Sequence, residues 1–325
     1  MSEKDRVVSL VTAETLPRGL APMLATPGPL PHGADWRYEI KWDGVRALVG
    51  IDSAADTLRI ESRRGNDVTA TYPELRALGE RLGDHDVLLD GEIVAFNEAG
   101  RPSFNRIQQR IGVFGADAKF RASQIPAVLA IFDILHLDGS STRGLPYLQR
   151  RRLLELLDLS EPGPAWRLST VHDDGDSLLA ATKQADIEGV IAKKADAPYQ
   201  VGTRSRYWIK VKNLTIDEFV IGGWVPGEGR REGHIGALLL GIPESDDPAA
   251  PLRWAGKVGT GWNDDELARM QAVLEPLRRP TRPFTNDPGE KIVVWVEPRQ
   301  TCRVEYREWT EQGTLRFPSY KGMVL

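Results

Sequence analysis

The chain has 325 residues, of which 41% are apolar and 27% are charged, and this composition is typical of a soluble, packed protein of about two domains. It contains no run of about 18 apolar residues and no apolar segment behind its charged N-terminus, so we expect neither a membrane-spanning helix nor a secretory signal. Cys302 is the single cysteine, which excludes an intramolecular disulfide and a cysteine-based zinc site. The net charge of −4 argues mildly against non-specific binding of nucleic acid, although basic residues outnumber acidic ones between Gly189 and Thr215.

Predicted strands and helices alternate along the first two thirds of the chain. Residues 1–35 are rich in proline and glycine and are expected to form an extended lead-in. Apolar runs and alternation then predict five strands: Trp36–Ile51, Val87–Phe96, Val128–Leu137, Gly189–Lys194 and Tyr207–Lys212. Apolar residues at helical spacing predict four helices: Tyr72–Arg81, Ser103–Gly112, Tyr147–Leu157 and Ser177–Ala185.

The first predicted strand carries a row of charged residues on one face. Side chains alternate along a strand, so Arg37, Glu39, Lys41 and Asp43 share the face opposite to the aromatic and aliphatic residues between them. After Asp43-Gly44 the apolar phase shifts, which predicts a turn or kink at that point. The pattern alone leaves open whether the charged row is a solvated sheet edge or the wall of a site.

After residue 213 the pattern changes to short strands that follow one another. The predicted strands are Glu218–Val225, His234–Ile242, Leu252–Gly259, Ile292–Glu297 and Cys302–Trp309. One predicted helix, Asp264–Arg278, lies between the third and fourth strands, with Asn263 as its N-cap. This is the order of an OB-fold β-barrel. The predicted fold class is therefore α+β, with a first domain of mixed sheets and helices (residues 1–212) followed by an OB-fold barrel (residues 213–325).

Seven short blocks of the sequence form an ordered series. They are Lys41-Trp42-Asp43-Gly44 with Arg46 (KxDGxR), then SRRGND (62–67), DGEIV (90–94), FDILHLDG (132–139), EGVIAK (188–193), WIKVK (208–212) and RFPSYKG (316–322). The series resembles the motifs of covalent nucleotidyltransferases, the superfamily of DNA ligases, RNA ligases and mRNA capping enzymes. Stretches such as SRRGNDVT and RSRYWIKVK are most similar to the ligase domain of bacterial end-joining ATP-dependent DNA ligases. The resemblance covers about residues 20 to 322.

The resemblance implies that residues 1–212 form a nucleotidyltransferase (adenylation) domain in which Lys41 attacks ATP and becomes adenylated. An attacking amine must be neutral, whereas the pKa of a free lysine is about 10.4. Lys210 and Lys212 alternate with apolar residues and share one face of their strand. If that face meets Lys41, their charges favour the neutral amine and also bind phosphate. The alternative is that both lie on a solvated strand edge.

Glu92 and Glu188 are the metal ligands that the resemblance implies. Each lies beside a glycine, which permits close approach of the backbone. A divalent cation, Mg²⁺ or Mn²⁺, would offset charge on the phosphates, and Mg²⁺ usually takes only one or two carboxylates. The alternative for each residue is an ordinary ion pair at a strand end.

The other residues implied to contact the nucleotide lie in the same blocks. Phe132 is the candidate for stacking on adenine unless it is a plain core residue, and Glu39 is the candidate acceptor for the adenine amino group. Arg46 and Arg63 are expected to hold ribose and phosphate, and Asp43 to orient the turn and the later nick chemistry. Further expected contacts are Ile40, Lys193, Lys210, Lys212 and, reaching the ATP tail when the domains close, Arg316 and Lys321.

The resemblance implies nicked or broken double-stranded DNA as the substrate. Candidate partners are an end-joining polymerase, a nuclease and DNA-end-binding proteins, and we expect a monomer in the bacterial cytoplasm, associated with the nucleoid. One departure concerns the last block, because only Met323, Val324 and Leu325 follow Lys321-Gly322 where the family often carries a further basic residue. The extent of self-adenylation is therefore left open.

Two other functions stay open on the sequence alone. The first is an RNA ligase or a capping-type guanylyltransferase, which labelling with GTP against ATP and RNA against DNA substrates would identify. The second is a non-catalytic OB-fold module that binds nucleic acid by stacking bases on Trp224, Trp254, Trp262 and Trp295. Failure to form a labelled lysine adduct would support this second function.

Overall fold

The computed structural model describes residues 14–324, apart from residues 158, 160–162, 246, 248, 249 and 311. The first thirteen residues of the predicted lead-in and Leu325 lie outside the described residues. The chain divides into two units, Met1–Asn213 and Leu214–Leu325. Of the described helices, none combines the length and the apolar character needed to cross a membrane.

The first unit contains ten strands and five α-helices among its described residues. The strands are β1 (Leu24–Pro27), β2 (Trp36–Ile40), β3 (Val45–Asp52), β4 (Thr57–Ser62), β5 (Val87–Val94), β6 (Val128–Leu137), β7 (Ser140–Ser141), β8 (Trp166–Leu168), β9 (Gly189–Lys194) and β10 (Arg204–Lys212). The helices are α1 (Arg76–Leu82), α2 (Phe104–Gln108), α3 (Gly115–Gln124), α4 (Tyr147–Leu156) and α5 (Gly175–Gln184).

Two sheets of this unit pack against each other. One has the order β1-β10-β9-β2, and the other has the order β4-β3-β5-β6-β7 with β8 beside β6. Apolar side chains from both sheets, including Leu48, Phe132 and Trp208, form one cluster between them. The chain passes from the first sheet to the second through residues 41–44, so the KxDG block lies at the junction of the sheets.

All five strands predicted in this region are present. The predicted strand Trp36–Ile51 divides into β2 and β3, which confirms the turn predicted at Asp43-Gly44. The four predicted helices are also present, although α2 ends four residues earlier than predicted. Strands β1, β4, β7 and β8 and helix α3 were not predicted. β4 does show the strand alternation, with Leu58 and Ile60 between polar residues, whereas α3 buries only Ala118 and so lacks an apolar stripe.

A buried ion pair ties α4 to β6. Arg150 Nε lies 2.7 Å from Asp133 Oδ1 and Nη2 lies 2.9 Å from Oδ2, and neither side chain is exposed. Arg150 also donates to the carbonyl oxygens of Leu145 and Ala197. Because Asp133 follows Phe132 directly, this pair fixes the strand that carries the candidate stacking residue.

Asp133→Ala is expected to lower the free energy of unfolding by roughly 3 to 5 kcal/mol, because it leaves the Arg150 guanidinium buried without its counter-ion. As a control, Asp173→Ala removes a surface pair with Arg37 in which the Asp173 side chain is 87% exposed. This control should change the free energy of unfolding by less than about 0.5 kcal/mol. Urea unfolding followed by tryptophan fluorescence measures both values, and equal effects would contradict the structural role of the buried pair.

The second unit is built mainly from strands. Its elements are β11 (Thr215–Pro226), β12 (Ile235–Pro243), β13 (Leu252–Val258), α6 (Asp264–Leu274), β14 (Arg278–Arg279), β15 (Val294–Val296), β16 (Thr301–Tyr306) and β17 (Ser319–Val324). The five predicted strands correspond to β11, β12, β13, β15 and β16, and α6 follows β13 as predicted. Asn263 Oδ1 accepts a hydrogen bond from the Glu266 amide at 2.9 Å, which confirms the predicted N-cap.

The sheet of the second unit does not close into a hydrogen-bonded barrel within the described residues. Its order is β13-β12-β11-β15-β14, while β16 pairs with β11 and β17 pairs with β16. Single hydrogen bonds join its two ends, from the Leu315 amide to the Ala255 carbonyl oxygen at 2.7 Å and from the Tyr320 amide to the Thr260 carbonyl oxygen at 2.9 Å. Gly256, with a φ of 127°, follows Ala255 in β13 beside this junction.

Candidate active site

A cavity of about 200 Å³ lies between the two sheets of the first unit. Nine predicted site residues line it: Glu39, Ile40, Lys41, Arg46, Arg63, Glu92, Phe132, Lys193 and Lys210. The other lining residues are Leu24, Ala25, Trp42, Ile191, Arg204 and Trp208. The fold therefore brings blocks that are far apart in the sequence into one pocket.

Lys41 lies directly after β2, where its backbone amide donates to the Gly189 carbonyl oxygen at 2.8 Å. Its ammonium group contacts the Glu188 carboxylate, and the other oxygen of that carboxylate lies 3.1 Å from Lys212 Nζ. The Lys41 side chain is 20% exposed and lines the cavity. A ligand in the cavity can therefore reach the amine, and Lys212 meets the site through Glu188.

Tight packing behind this lysine requires glycine at position 44. A Cβ atom on Gly44 would lie 2.2 Å from a backbone carbonyl oxygen of β5 and 3.0 Å from Glu92 Cγ. Asp43 is buried and accepts a hydrogen bond from the Phe104 amide at 3.3 Å. The Asp-Gly pair thus holds the lysine segment against the strand that carries Glu92.

Glu92 and Glu188 place two negative charges near Lys41. The pKa of Glu92 is raised to about 7, first because the carboxyl group is removed from bulk water and further by Glu188, while Arg46 and Lys41 act in the opposite direction. A metal cation would relieve this repulsion. Because the described residues contain no group of three or more histidine, cysteine or acidic side chains that could hold a metal, phosphate or water oxygens must complete its ligands. Two carboxylates, together with phosphate or water oxygens, suit Mg²⁺ or Mn²⁺.

Basic side chains of β10 face the same region. The pKa of Lys210 is lowered, first by burial and then by the charges of Lys212, Arg204 and Lys41. This mutual repulsion makes the group suited to bind an anion. The predicted electrostatic activation of Lys41 stays a prediction.

Arg46 is fixed at the cavity wall by a bidentate ion pair with Asp90. Its Nε and Nη2 atoms lie 2.5 and 2.6 Å from the two carboxylate oxygens, and Asp90 also accepts from the Tyr199 hydroxyl at 2.6 Å. The guanidinium carbon lies 4.6 Å from the centre of the Phe132 ring. Arg63, in contrast, is exposed where it lines the cavity. The expected contacts of both arginines with ribose and phosphate stay predictions.

Phe132 and Trp208 form an apolar wall of the cavity. Their ring centres are 6.0 Å apart with the planes at 81°, and both side chains are more than nine-tenths buried. Trp208 was not among the predicted site residues. Strand alternation nevertheless places it on the same face of β10 as Lys210 and Lys212, and that parity is the signal that could have identified it.

Glu39 is 2% exposed, so the interpretation of the charged row as a solvated edge is wrong at this residue. Its Oε1 atom lies 2.5 Å from Lys193 Nζ and accepts a hydrogen bond from the Tyr147 hydroxyl at 2.6 Å. Lys193 also donates to the Phe132 carbonyl oxygen at 3.0 Å. Tyr147 was not predicted as a site residue, because its position at the start of a helix indicates only a core role.

Arg316 and Lys321 belong to the second unit. Arg316 pairs with Glu308, and Lys321 Nζ lies 3.0 Å from Glu305 Oε1. Both side chains therefore form ion pairs with acidic residues of their own unit. Their roles at the ATP tail stay predictions.

Known proteins resemble the chain over most of its length. The ATP dependent DNA ligase domain model matches residues 22–212, and the ATP dependent DNA ligase C terminal region model matches residues 231–323. The multifunctional non-homologous end joining DNA repair protein LigD of Mycobacterium tuberculosis is 42% identical over 313 residues, which cover 94% of this chain and 38% of that protein. The crystal structure of the ligase domain of that LigD, and a mycobacterial DNA ligase D complexed with ATP and MES, each show 40% identity and a TM-score of 0.56, with 94% of this chain and 95% of the solved chain covered.

Proposed function

Because the chain belongs to the family of ATP-dependent DNA ligases, we propose that it transfers the adenylyl group of ATP to Lys41 and from there to a broken DNA strand, which it seals. One observation carries the assignment of Lys41. A single cavity collects the Lys41 amine, the Glu92 carboxylate, several cations and an aromatic wall, and Glu188 meets the same amine. This is the set of groups that nucleotide binding and adenylation require.

In the first step the neutral Lys41 amine attacks the α-phosphorus of ATP. A nitrogen–phosphorus bond forms, the bond from the α-phosphorus to the pyrophosphate oxygen breaks, and the amine loses a proton. Phosphoryl transfer is catalysed mostly by positioning and by charge stabilisation, so the fixed charges of Arg46 and Lys210 suit the phosphate oxygens. Phe132 offers a stacking surface to adenine, and Glu39 offers an acceptor for its amino group. Ile40 and Arg63 are also proposed to contact the nucleotide, and Lys193 lines the same cavity.

The next two steps act on DNA. An oxygen of the 5′-phosphate at the nick attacks the phosphorus of the lysine adduct, the nitrogen–phosphorus bond breaks, and Lys41 regains its amine. The 3′-hydroxyl then attacks the adenylated 5′-phosphate, so that a phosphodiester bond forms and AMP leaves. Asp43, held beside Lys41, is proposed to act in these DNA steps.

Glu92 and Glu188 are proposed to hold Mg²⁺ or Mn²⁺ together with phosphate and water oxygens. When bound, the cation offsets negative charge on the phosphates. The pKa of Glu92 is raised first by burial and then by the nearby charge of Glu188, and a bound cation would favour the ionised carboxylate. Glu188 contacts Lys41 and Lys212 in this structure, so it would exchange contacts with lysine for contacts with metal.

The chain spans 38% of the length of the M. tuberculosis relative, so the activities of that whole protein are not transferred to it. We infer that the substrate is nicked or broken duplex DNA and that the reaction serves end-joining repair. A polymerase, a nuclease and DNA-end-binding proteins are the proposed partners of a monomer that acts at the nucleoid in the cytoplasm. The end-joining name of the relative supports this context.

A sealing assay tests the proposed function. A duplex with one 5′-phosphorylated nick is incubated with ATP or with GTP in the presence of Mg²⁺, and the same nick is built with RNA strands for comparison. We expect sealing of the DNA nick with ATP. Labelling by GTP or a preference for RNA would instead identify a guanylyltransferase or an RNA ligase, and the absence of any nucleotide adduct would support a non-catalytic binding module.

Arg316→Ala is expected to slow sealing with ATP by roughly 100-fold while it leaves the sealing of a pre-adenylated nick within about twofold of wild type. By resemblance, Arg316 and Lys321 orient the leaving pyrophosphate, and alignment of the leaving group matters to phosphoryl transfer. A nick that is already adenylated releases no pyrophosphate, so it bypasses this requirement. The measurement is the ratio of the two sealing rates.

The matched control for this ratio is Arg303→Ala, which removes an exposed arginine that pairs with Glu218 in the same unit. This control should change neither rate. If Arg316→Ala slows both reactions equally, Arg316 contacts DNA or supports the fold, and its proposed contact with pyrophosphate is wrong.

A further inference from the structure

A buried network behind the cavity joins Glu39 to Lys193 and Tyr147. Lys193 Nζ and the Tyr147 hydroxyl lie 2.5 and 2.6 Å from the same carboxylate oxygen, Oε1. Within the described part of the chain, both partners of the Glu39 carboxylate therefore contact Oε1. Because Glu39 lines the cavity, this arrangement leaves Oε2 to accept a hydrogen bond from a ligand.

Lys193 is held in place by aromatic rings as well as by Glu39. Its Nζ atom lies 4.6 Å from the ring centres of Phe132 and Trp208 and 4.9 Å from that of Tyr147. It also donates to the Phe132 carbonyl oxygen, and its side chain is 2% exposed. Cations over aromatic faces are stabilised by the ring electrons, more so when they are removed from water. The ammonium is therefore committed to this network rather than to a phosphate group.

Tyr147 supplies the second fixed donor. It is the first residue of α4 and is 1% exposed. Burial raises the pKa of its hydroxyl well above the ordinary value, and the charge of Glu39 raises it further. The hydroxyl therefore stays protonated at neutral pH and donates to Glu39 throughout.

We propose that Tyr147 and Lys193 are positioning residues that hold the Glu39 carboxylate as an acceptor for the 6-amino group of a purine, and that they thereby select adenine over guanine. The inference rests on the proposed function, in which Glu39 is the residue that meets the base. An ionised carboxylate only accepts hydrogen bonds. Adenine presents an amino donor at position 6, whereas guanine presents a carbonyl oxygen, which is a second acceptor.

The two positioning residues have separate tasks in this arrangement. A carboxylate that is 2% exposed is stable as an anion only with a counter-charge, and Lys193 provides it. Tyr147 fixes the rotation of the carboxylate by holding Oε1, so that Oε2 faces the ligand. A site with a buried, preset hydrogen-bonding group rejects a base that cannot pair with it by several powers of ten.

Tyr147→Phe tests this proposal through the nucleotide dependence of the Lys41 adduct. The rate of adduct formation is measured with ATP and with purine riboside triphosphate, which lacks the 6-amino group. In the wild type, loss of the amino group should raise KM by about 100-fold or more. In Tyr147→Phe, KM for ATP should rise by about tenfold, whereas KM for purine riboside triphosphate and both kcat values should stay within about twofold.

The penalty for removing the amino group, which is the ratio of KM for purine riboside triphosphate to KM for ATP, should therefore be about tenfold smaller in Tyr147→Phe than in the wild type. Tyr306→Phe is the matched control, because it removes a hydroxyl that donates to the Asp217 carboxylate over the same 2.6 Å in the second unit. This control should leave the penalty unchanged. Equal losses with both nucleotides in Tyr147→Phe would give Tyr147 a purely structural role and overturn the proposal.

Glu39→Gln provides a second test that preserves the shape of the side chain. An amide group can donate as well as accept, so the preference for ATP over GTP should fall by about tenfold or more. Retention of the full preference in this variant would also overturn the proposal. Failure of the wild type to form any adduct with ATP would instead refute the proposed function, so the two failures are distinguishable.

Discussion

Lys41→Ala is expected to abolish the covalent nucleotide adduct and to reduce sealing with ATP below about one thousandth of the wild-type rate. The reason is that the amine is the group that forms the bond to the α-phosphorus, and a lost nucleophile removes the whole reaction path rather than a few kcal/mol of its barrier. ATP labelled at its α-phosphate, followed by a denaturing gel, measures the adduct. Lys41→Arg should behave alike, because a guanidinium group stays protonated and cannot attack.

Lys194→Ala is the matched control for this substitution. Lys194 lies on β9 at the end opposite to Lys41, where it pairs with Trp36, and its side chain is partly exposed and pairs with Asp196 outside the cavity lining. The control should form the adduct at the wild-type rate. An acid-labile, alkali-stable adduct in Lys41→Ala would place the nucleophile at another residue.

Glu92→Ala and Glu188→Ala are each expected to slow adduct formation by roughly 100-fold at low metal concentration. A bound cation supplies several kcal/mol of charge stabilisation, and about 1.4 kcal/mol corresponds to a factor of ten in rate. Weakened metal binding should be partly recovered by raising the concentration of Mg²⁺ or Mn²⁺. The measurement is the rate of adduct formation across a metal titration for each variant.

Glu98→Ala, at an exposed glutamate after β5, controls for the general loss of one negative charge. Its metal dependence should match that of the wild type. Wild-type rates at low metal in Glu92→Ala or Glu188→Ala would reduce that residue to an ion-pair partner. A rate loss that added metal leaves unchanged would also argue against metal ligation.

Local patterns predicted the elements that carry the chemistry. The strands Val128–Leu137 and Gly189–Lys194 begin and end as predicted, because mostly apolar stretches indicate them. The phase shift after Asp43-Gly44 likewise predicted the bend that lets the lysine segment pass between two sheets. Alternation and spacing depend only on neighbours in the sequence, so these features could be predicted from the sequence.

The contacts between residues on different sides of the cavity could not be predicted from the sequence in the same way. The sequence pattern of β2 is equally compatible with a solvated Glu39 and with the buried one, because only the approach of β9 and α4 decides which occurs. Tyr147 gives no local sign that it meets Glu39, 108 positions away. The unclosed sheet of the second unit could not be predicted for a similar reason, since closure depends on contacts between residues far apart in the sequence, such as Ala255 and Leu315.

The transfer of label from protein to DNA tests the central claim most directly. The protein is first incubated with ATP labelled at its α-phosphate, separated from unbound nucleotide, and then mixed with a nicked duplex in a single turnover. We expect the label to leave Lys41, to appear on the 5′-phosphate of the nick, and then to be released as AMP at the rate at which the sealed strand forms. A label that stays on the protein while the nick is sealed, or that leaves without sealing, would contradict the lysine-adenylate as the intermediate.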